Sequence, residues 1–190
     1  MEKRNLFVIT GGPGSGKTTI LHELERRGFR CVPEVAREII RQQVSSGGIA
    51  LPWGDREYYT RLMLERSIES YREQDTNGQP QFCDRGIPDT LSYARLIGLK
   101  DDEAIRLACR EYRYALKVFV APPWKEIYAT DLERKQDFAE AVKTTDIMKK
   151  VYTELKYELV ELPKTTVFDR ADFIMKKLGL AAKSTFVPAF

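Results

Sequence analysis

Short apolar runs alternate with longer amphipathic stretches along this chain of 190 residues. The apolar runs are predicted to be strands, and they cover residues 6–10, 29–32, 81–84, 116–121 and 158–162. Residues 6–10, "LFVIT", show no alternation of polar and apolar side chains, as expected for a strand buried on both faces. Such a strand is typical of a parallel sheet covered by helices.

Helical periodicity fills the segments between these strands. The predicted helices cover residues 16–27, 34–44, 55–72, 89–96, 101–114, 139–155 and 170–178. Asp55 is predicted to cap the third helix, and Gly179 to end the last one. The alternation of strands and helices predicts an α/β fold with a doubly wound parallel sheet. Ligands of such sheets bind beyond the carboxyl ends of the strands, so the residues after each run are the candidates for function.

The segment "GGPGSGKT", residues 11–18, matches the phosphate-loop pattern GxxxxGK[ST] between a predicted strand and a predicted helix. Its glycines let backbone N–H groups approach phosphate oxygens, and the following helix directs its positive end to the same place. Lys17 is predicted to bridge the β- and γ-phosphates, and Thr18 to offer its hydroxyl to Mg²⁺. The predicted nucleotide-binding residues are Gly11, Gly12, Pro13, Gly14, Ser15, Gly16, Lys17, Thr18 and Thr19.

Two carboxylates follow other predicted strands at the same edge of the sheet. Glu34 could accept a proton from an acceptor hydroxyl or orient it, or it could favour the helix dipole as an acid of the first turn. Asp84 ends the third strand, where a Walker-B-type carboxylate holds Mg²⁺ or its water. Arg85 is predicted to lie beside the acceptor or its phosphate, and Asp89 is either an N-cap or an acceptor ligand.

Residues 122–138, "PPWKEIYATDLERKQDF", form a long polar connection after the fourth predicted strand. In a phosphotransferase, such a connection can close over the phosphates, exclude water and add cations. Arg134 and Lys135 are the candidate lid cations, because positive charge stabilises a transferring phosphoryl group. Alternatively, Asp131 and Glu133 pair with these cations on a solvated helix face. The candidate catalytic residues are Lys17, Glu34, Asp84, Arg85 and Arg134.

Charge, cysteine content and hydropathy narrow the functional classes. The formal net charge is +3, which one phosphate-binding site could account for, and no dense basic stripe indicates a dedicated nucleic-acid binder. The 3 cysteines form no CxxC pair and there is 1 histidine, which argues against a zinc site and favours reduced, buried thiols. No apolar run reaches the ~18 residues of a membrane span, and the first run is too short for a secretory leader. A cytoplasmic protein is expected.

Missing companion motifs exclude several classes of phosphate-loop protein. The guanine-reading motif N-K-x-D is absent, since the only asparagines are Asn5 and Asn77. No ABC-type signature is present, and the chain is too short to include the helical subdomain of a ring-forming motor. The remaining classes are a compact kinase and a small stand-alone ATPase.

The ordered set "FVITGGPGSGKTT", "PEVARE", "LPW", "DRGIPD", "PPWKEIY" and "DLERKQ" resembles a family of small P-loop AAA-domain ATPases. That family also includes the nicotinamide riboside kinase domain of the bacterial NadR regulator, and the resemblance covers nearly all of residues 5–178. It implies a three-layer, kinase-like P-loop fold with a five-stranded parallel sheet of order 2-3-1-4-5 and a helical lid at about residues 122–140. It implies one domain over residues 1–180, followed by a tail at 181–190.

The resemblance also implies ATP and Mg²⁺ as ligands, with Lys17 and Thr18 on the triphosphate and the metal. By analogy with nucleoside-kinase-like enzymes, either Glu34 or Asp84 faces the acceptor hydroxyl, and Arg134 belongs to the lid. The acceptor itself is not implied.

Three functional hypotheses follow. The first is an ATP- and Mg²⁺-dependent phosphotransferase acting on a small hydroxyl-bearing, nucleoside-like metabolite. The second is a regulatory ATPase or nucleotide switch, for which a protein partner remains open. The third is a polynucleotide end kinase, which the modest net charge of +3 disfavours. A nucleotide and a small-molecule acceptor are therefore the expected ligands, and neither a membrane nor a nucleic acid is expected.

Overall fold

A central parallel sheet organises the chain in the computed structural model, which describes residues 1–75, 77–100, 102–128 and 137–180. The strands are β1 (Glu2–Lys3), β2 (Leu6–Thr10), β3 (Arg30–Val32), β4 (Gln81–Asp84), β5 (Arg113–Tyr114), β6 (Lys117–Val120) and β7 (Glu158–Glu161). The main sheet has 5 strands in the order β3-β4-β2-β6-β7, all parallel. Counted along the chain, this is the order 2-3-1-4-5, so the predicted fold is confirmed.

Helices cover both faces of the sheet. They are α1 (Lys17–Arg26), α2 (Val35–Ser46), α3 (Arg56–Glu73), α4 (Ile87–Leu96), α5 (Glu103–Glu111), α6 (Phe138–Glu154) and α7 (Val167–Leu178), with a short 3₁₀ helix at Lys125–Ile127. Asp55 caps α3 by accepting a hydrogen bond from the Tyr58 amide, and Gly179 ends α7 in the left-handed conformation, both as predicted. No helix in the described ranges is long and apolar enough to cross a bilayer.

The register of the central strands aligns the ligand-facing edge. Ile9 of β2 pairs with Asp84 of β4 on one side and with Phe119 of β6 on the other. The phosphate loop after β2 and the residues after β4 and β6 therefore leave the sheet at the same level.

Successive residues of β2 point to opposite faces, and both faces are buried. Val8 belongs to an apolar cluster that includes residues of α3, α4, α5 and α6, whereas Ile9 belongs to one that includes residues of α1 and α7. Both side chains have no exposed surface. The absence of alternation in "LFVIT" thus reflects a three-layer packing.

The structure corrects the predicted helix at 101–114. Helix α5 ends at Glu111, and Arg113–Tyr114 instead forms a parallel pair with Glu2–Lys3. Tyr71 explains the change, because its ring packs edge-on against Tyr114 and its hydroxyl donates to the Arg113 carbonyl at 2.7 Å. These contacts join residues far apart in sequence, so local periodicity could not predict them.

Two other helices start earlier than predicted. Helix α4 begins at Ile87 rather than at residue 89, with Pro88 in its first turn, where a missing N–H costs nothing. Helix α7 begins at Val167 rather than at residue 170, because the Thr166 hydroxyl accepts from the Asp169 amide and caps it.

The packing of α7 on the sheet predicts a large effect of Ile174→Ala. Ile174 has no exposed surface and belongs to the cluster around Ile9. Its truncation is expected to lower the free energy of unfolding by about 2–5 kcal/mol, measured by urea denaturation. Phe168→Ala is the control on the same helix, because Phe168 is 55% exposed and should change stability by about 0.5 kcal/mol or less. Equal losses in the two variants would contradict this packing.

Candidate functional site

The phosphate loop joins β2 to α1 and lies against β6 and α6. Gly11 has φ 137°, and a Cβ there would lie 2.3 Å from the carbonyl oxygen of Ala121, so only glycine fits. The Gly12 amide donates to Thr145 Oγ1 of α6 at 3.0 Å, and Ser15 Oγ donates to the Gly12 carbonyl at 2.8 Å. The loop is thus shaped by its neighbours and by its own side chains.

The ammonium group of Lys17 lies inside this loop. Its Nζ donates to the carbonyl oxygens of Gly11 at 3.0 Å and Gly12 at 2.9 Å, and the residue is buried. The loop carbonyls therefore hold the ammonium group next to the backbone that is predicted to bind phosphate. Of the other loop residues, Pro13 lines the large pocket described below, Gly14 has a positive φ of 69°, and Thr19 is exposed in the first turn of α1.

Thr18 and Asp84 meet where β2 and β4 end. Thr18 Oγ1 donates to Asp84 Oδ2 at 3.1 Å. Asp84 Oδ1 is buried and has no hydrogen-bond partner among the described residues. Burial is the largest effect on the Asp84 carboxyl and raises its pKa, and the negative charge of Glu34 raises it further. The positive charge of Lys17 acts in the opposite direction.

These two side chains fit a divalent cation. A hydroxyl and a buried carboxylate with an unused oxygen are hard oxygen ligands of the kind that Mg²⁺ takes. The described residues contain no group of 3 or more His, Cys, Asp or Glu side chains that could hold a metal ion. Thr18 and Asp84 would therefore hold Mg²⁺ together with phosphate oxygens and water, as is usual for this ion.

Arg85 joins the carboxylates of two further elements. Its Nε donates to Glu34 Oε1 at 2.7 Å, and its Nη1 donates to Asp89 Oδ1 at 3.1 Å. Glu34 Oε2 also lies 3.4 Å from Arg37 Nε. Burial disfavours the charge of Arg85, but the surrounding carboxylates, Glu34 first, outweigh burial and raise the pKa of its guanidinium.

The backbone of Arg85 is unusual, with φ 74° in a region that non-glycine residues rarely adopt. Its amide continues the sheet by donating to the Ile9 carbonyl at 3.0 Å. Such a conformation persists only where the surroundings determine it. Here the two ion pairs of the side chain and this amide bond fix the residue.

Asp89 is the anchor of this arrangement. Its Oδ1 accepts hydrogen bonds from Thr10 Oγ1 at 2.5 Å and from Arg85. Its Oδ2 accepts from the Gly86 amide at 2.9 Å and from Tyr152 Oη at 2.6 Å. Of the two alternatives for Asp89, an N-cap or an acceptor ligand, the N-cap is wrong, because Gly86 is the N-cap of α4 and Asp89 is the third residue of that helix. Four donors occupy its buried carboxylate instead.

A pocket of about 490 Å³ opens beside the phosphate loop, within the usual size range of small-molecule sites. Pro13 forms its border with the loop, and Glu34 and Arg85 lie in its wall. Its apolar and aromatic lining includes Ile40, Trp53, Tyr59, Met63, Tyr93 and Met148. Its other charged groups are Arg37, Arg56, Asp89, Glu140 and Lys143. The pocket thus combines an apolar and aromatic lining with charged groups of both signs.

Sequence reasoning missed two contributions to this site. Helix α6 supplies Thr145 to the phosphate loop and Lys143 to the pocket, and α7 supplies Arg170, whose Nη1 donates to the Ser15 carbonyl at 3.1 Å. A signal existed for Arg170, because it lies at helical spacing with the core residue Ile174. The candidate lid cations Arg134 and Lys135 lie outside the described residues.

Comparisons with known proteins place this geometry among phosphate-loop folds. A family model described as "AAA domain" matches residues 6–170. No curated protein matches the chain.

Solved structures share the fold at low identity. NadR in complex with NR has a TM-score of 0.73 at 20% identity, over 96% of this chain and 54% of that chain. NadR in complex with NAD and AMP-PNP has a TM-score of 0.69 at 19% identity, over 95% of this chain and 51% of that chain. Thymidylate kinase from Ehrlichia chaffeensis has a TM-score of 0.63 at 16% identity, over 91% of this chain and 97% of that chain. The chain spans about half the length of the NadR chains.

The Thr18–Asp84 pair predicts the behaviour of Asp84→Asn. The carboxamide can still accept from Thr18 but carries no charge, so Mg²⁺ affinity in the presence of a non-hydrolysable ATP analogue should fall about 10- to 100-fold. Thermal stability without ligands should not fall, because burial penalises the charge that is removed. Mg²⁺ titration and thermal unfolding measure the two effects.

Asp146→Asn is the matched control, because it makes the same charge change at an exposed position of α6. It should leave Mg²⁺ affinity unchanged. Metal binding by Asp84→Asn as tight as that of the control would remove Asp84 from the metal site.

Proposed function

The chain belongs to the AAA-domain family, and we propose that it is an ATP- and Mg²⁺-dependent phosphotransferase acting on a small hydroxyl-bearing, nucleoside-like metabolite. One observation carries this proposal. The pocket of about 490 Å³ borders the phosphate loop at Pro13 and has the carboxylate of Glu34 in its wall. An acceptor in this pocket would lie beside the terminal phosphate of a nucleotide held by the loop.

In this proposal, the two candidate carboxylates, Asp84 and Glu34, have different roles. Asp84 accepts from Thr18 and does not line the pocket, which suits a metal ligand. Glu34 lines the pocket, and its ion pairs with Arg37 and Arg85 fix the position of its carboxylate. Glu34 is therefore the group that orients and deprotonates the acceptor hydroxyl.

Phosphoryl transfer at this site follows from the same placement. The acceptor oxygen forms a bond to the γ-phosphorus as the bond to the β-γ bridging oxygen breaks, ADP leaves, and the hydroxyl proton passes to Glu34. Lys17 leaves the loop carbonyls for the β- and γ-phosphates. Thr18 and Asp84 would hold Mg²⁺, and the ion would supply positive charge to neutralise the phosphates. Arg134 remains the proposed lid cation.

The chemistry of the pocket supports a nucleoside-like acceptor. Aromatic rings of Trp53, Tyr59 and Tyr93 line it, and stacking on such rings suits a planar base. Structures of the same fold contain NR, or NAD together with AMP-PNP, in NadR. The acceptor hydroxyl would then face Glu34, with the planar group toward the aromatic side.

An acceptor screen tests the proposal directly. The protein is incubated with γ-labelled ATP, Mg²⁺ and a panel of nucleosides, ribosides and sugars, and the products are separated. A labelled product other than free phosphate is expected for at least one nucleoside-like compound. If the whole panel gives only slow release of phosphate, the chain is a stand-alone ATPase or nucleotide switch.

Glu34→Gln tests the role of the carboxylate. Transfer to the identified acceptor should fall by roughly 10²-fold or more, as for the loss of a general base, while ATP binding is retained. Glu38→Gln is the matched control, because Glu38 is exposed one turn later on the same helix. Equal transfer rates in the two variants would remove Glu34 from the mechanism.

A further inference from the structure

Arg170 of α7 is a buried cation directly behind the phosphate loop. It is only 3% exposed, and within the described residues its side chain makes one hydrogen bond, from Nη1 to the Ser15 carbonyl at 3.1 Å. Its Nε is buried and has no hydrogen-bond partner among the described residues. A guanidinium group so enclosed would ordinarily be paired with a carboxylate.

No carboxylate within the described ranges forms an ion pair with Arg170. The two nearest in sequence are engaged elsewhere, since Asp169 accepts from Thr165 and Thr166, and Asp172 accepts from Arg27. Burial alone therefore acts on this guanidinium, and it lowers the pKa of Arg170 to about 10. A buried charge without a counterion is costly, which raises the question of what balances it.

The position of Arg170 relative to Gly16 points to an answer. A Cβ on Gly16 would lie 2.9 Å from Arg170 Nη1, and Gly16 itself has φ 80°. The Ser15 carbonyl that Arg170 contacts belongs to the same peptide unit as the Gly16 N–H. A charged donor on the carbonyl side of a peptide polarises its N–H and makes it a stronger donor.

Gly16 is also the N-cap of α1, so its N–H belongs to the helix end at which anions bind. We propose that Arg170 is a positioning residue for the triphosphate. From outside the loop it fixes and polarises the Ser15–Gly16 peptide, and the phosphates balance its buried charge when nucleotide is bound. Lys17 acts differently, because its ammonium lies inside the loop and reaches the phosphates directly.

This inference rests on the nucleotide-binding half of the proposed function and not on the acceptor. ATP affinity is therefore the readout, and the acceptor screen can fail without affecting it. If the wild type binds ATP normally but the Arg170 variants do not behave as expected, only this inference is overturned. A wild-type protein that binds no ATP would overturn both.

The test compares variants that keep or remove the charge. Arg170→Lys retains a cation that can donate to one carbonyl, whereas Arg170→Gln retains a donor without charge. The dissociation constant for ATP should rise about 10-fold in Arg170→Gln, because a charged hydrogen bond becomes a neutral one, and about 3-fold or less in Arg170→Lys. The increase should be smaller for ADP and absent for adenosine, since it depends on phosphate charge. Isothermal titration measures all three.

Arg170→Met supplies the same comparison if Arg170→Gln is insoluble, because methionine packs well in an apolar helix face. It should match the affinity loss expected for Arg170→Gln. Equal ATP affinities in the lysine variant and in an uncharged variant would overturn the proposal, and so would an uncharged variant that binds ATP as tightly as wild type.

Arg27→Gln is the matched control. Arg27 also joins α1 to α7, but its guanidinium is already paired with Glu23 and Asp172. Its replacement should lower the melting temperature of the free protein and leave ATP affinity unchanged. A loss of ATP affinity equal to that of Arg170→Gln would show that any weakening of this helix pair has the same effect, and would overturn the specific role of Arg170.

Discussion

The arrangement of the site depends on the hydrogen bonds that the carboxylate of Asp89 accepts. It accepts hydrogen bonds from Thr10 at the end of β2, from Gly86 at the start of α4 and from Tyr152 on α6. The fourth hydrogen bond comes from Arg85, whose guanidinium also donates to Glu34 and so connects it to Asp89. A buried carboxylate is stable only when its oxygens are satisfied, so these elements are held in one relative position. The same carboxylate consequently fixes the position of the pocket wall and that of the carboxyl end of β2.

Much of this architecture could be predicted because its causes are local. "LFVIT" and "GGPGSGKT" identify a buried strand and a phosphate loop from adjacent residues, and parallel strands bring their carboxyl ends to one edge. That rule predicts Glu34 and Asp84 at the ligand-facing edge, and in the structure the charges of Glu34 and Lys17 both act on the pKa of Asp84. Other features depend on packing between distant segments. The bond from Tyr152 to Asp89 spans 63 residues and that from Arg170 to Ser15 spans 155, and no periodicity reports such pairs. The proposed division of roles between Asp84 and Glu34 also required the pocket, since both residues lie at the carboxyl ends of strands.

The cations of the site differ in how their charges are compensated. Arg85 lies between carboxylates, and Lys17 lies on loop carbonyls. Within the described residues, the Arg170 side chain has one partner, the Ser15 carbonyl oxygen. The cation behind the phosphate loop is therefore less compensated there than the cation in the pocket wall, which two carboxylates hold. This difference suits the proposed function, in which the triphosphate is the most highly charged ligand.

Helix α6 connects the phosphate loop to the pocket. Its 17 residues span about 25 Å. Thr145 contacts the phosphate loop, Tyr152 contacts Asp89, and Lys143 lies in the pocket. A displacement of α6 would therefore change the phosphate loop and the pocket together. In the proposed function, a nucleotide that favours one position of this helix would alter the affinity for the acceptor by the same factor by which the acceptor alters the affinity for the nucleotide, because binding at linked sites is reciprocal.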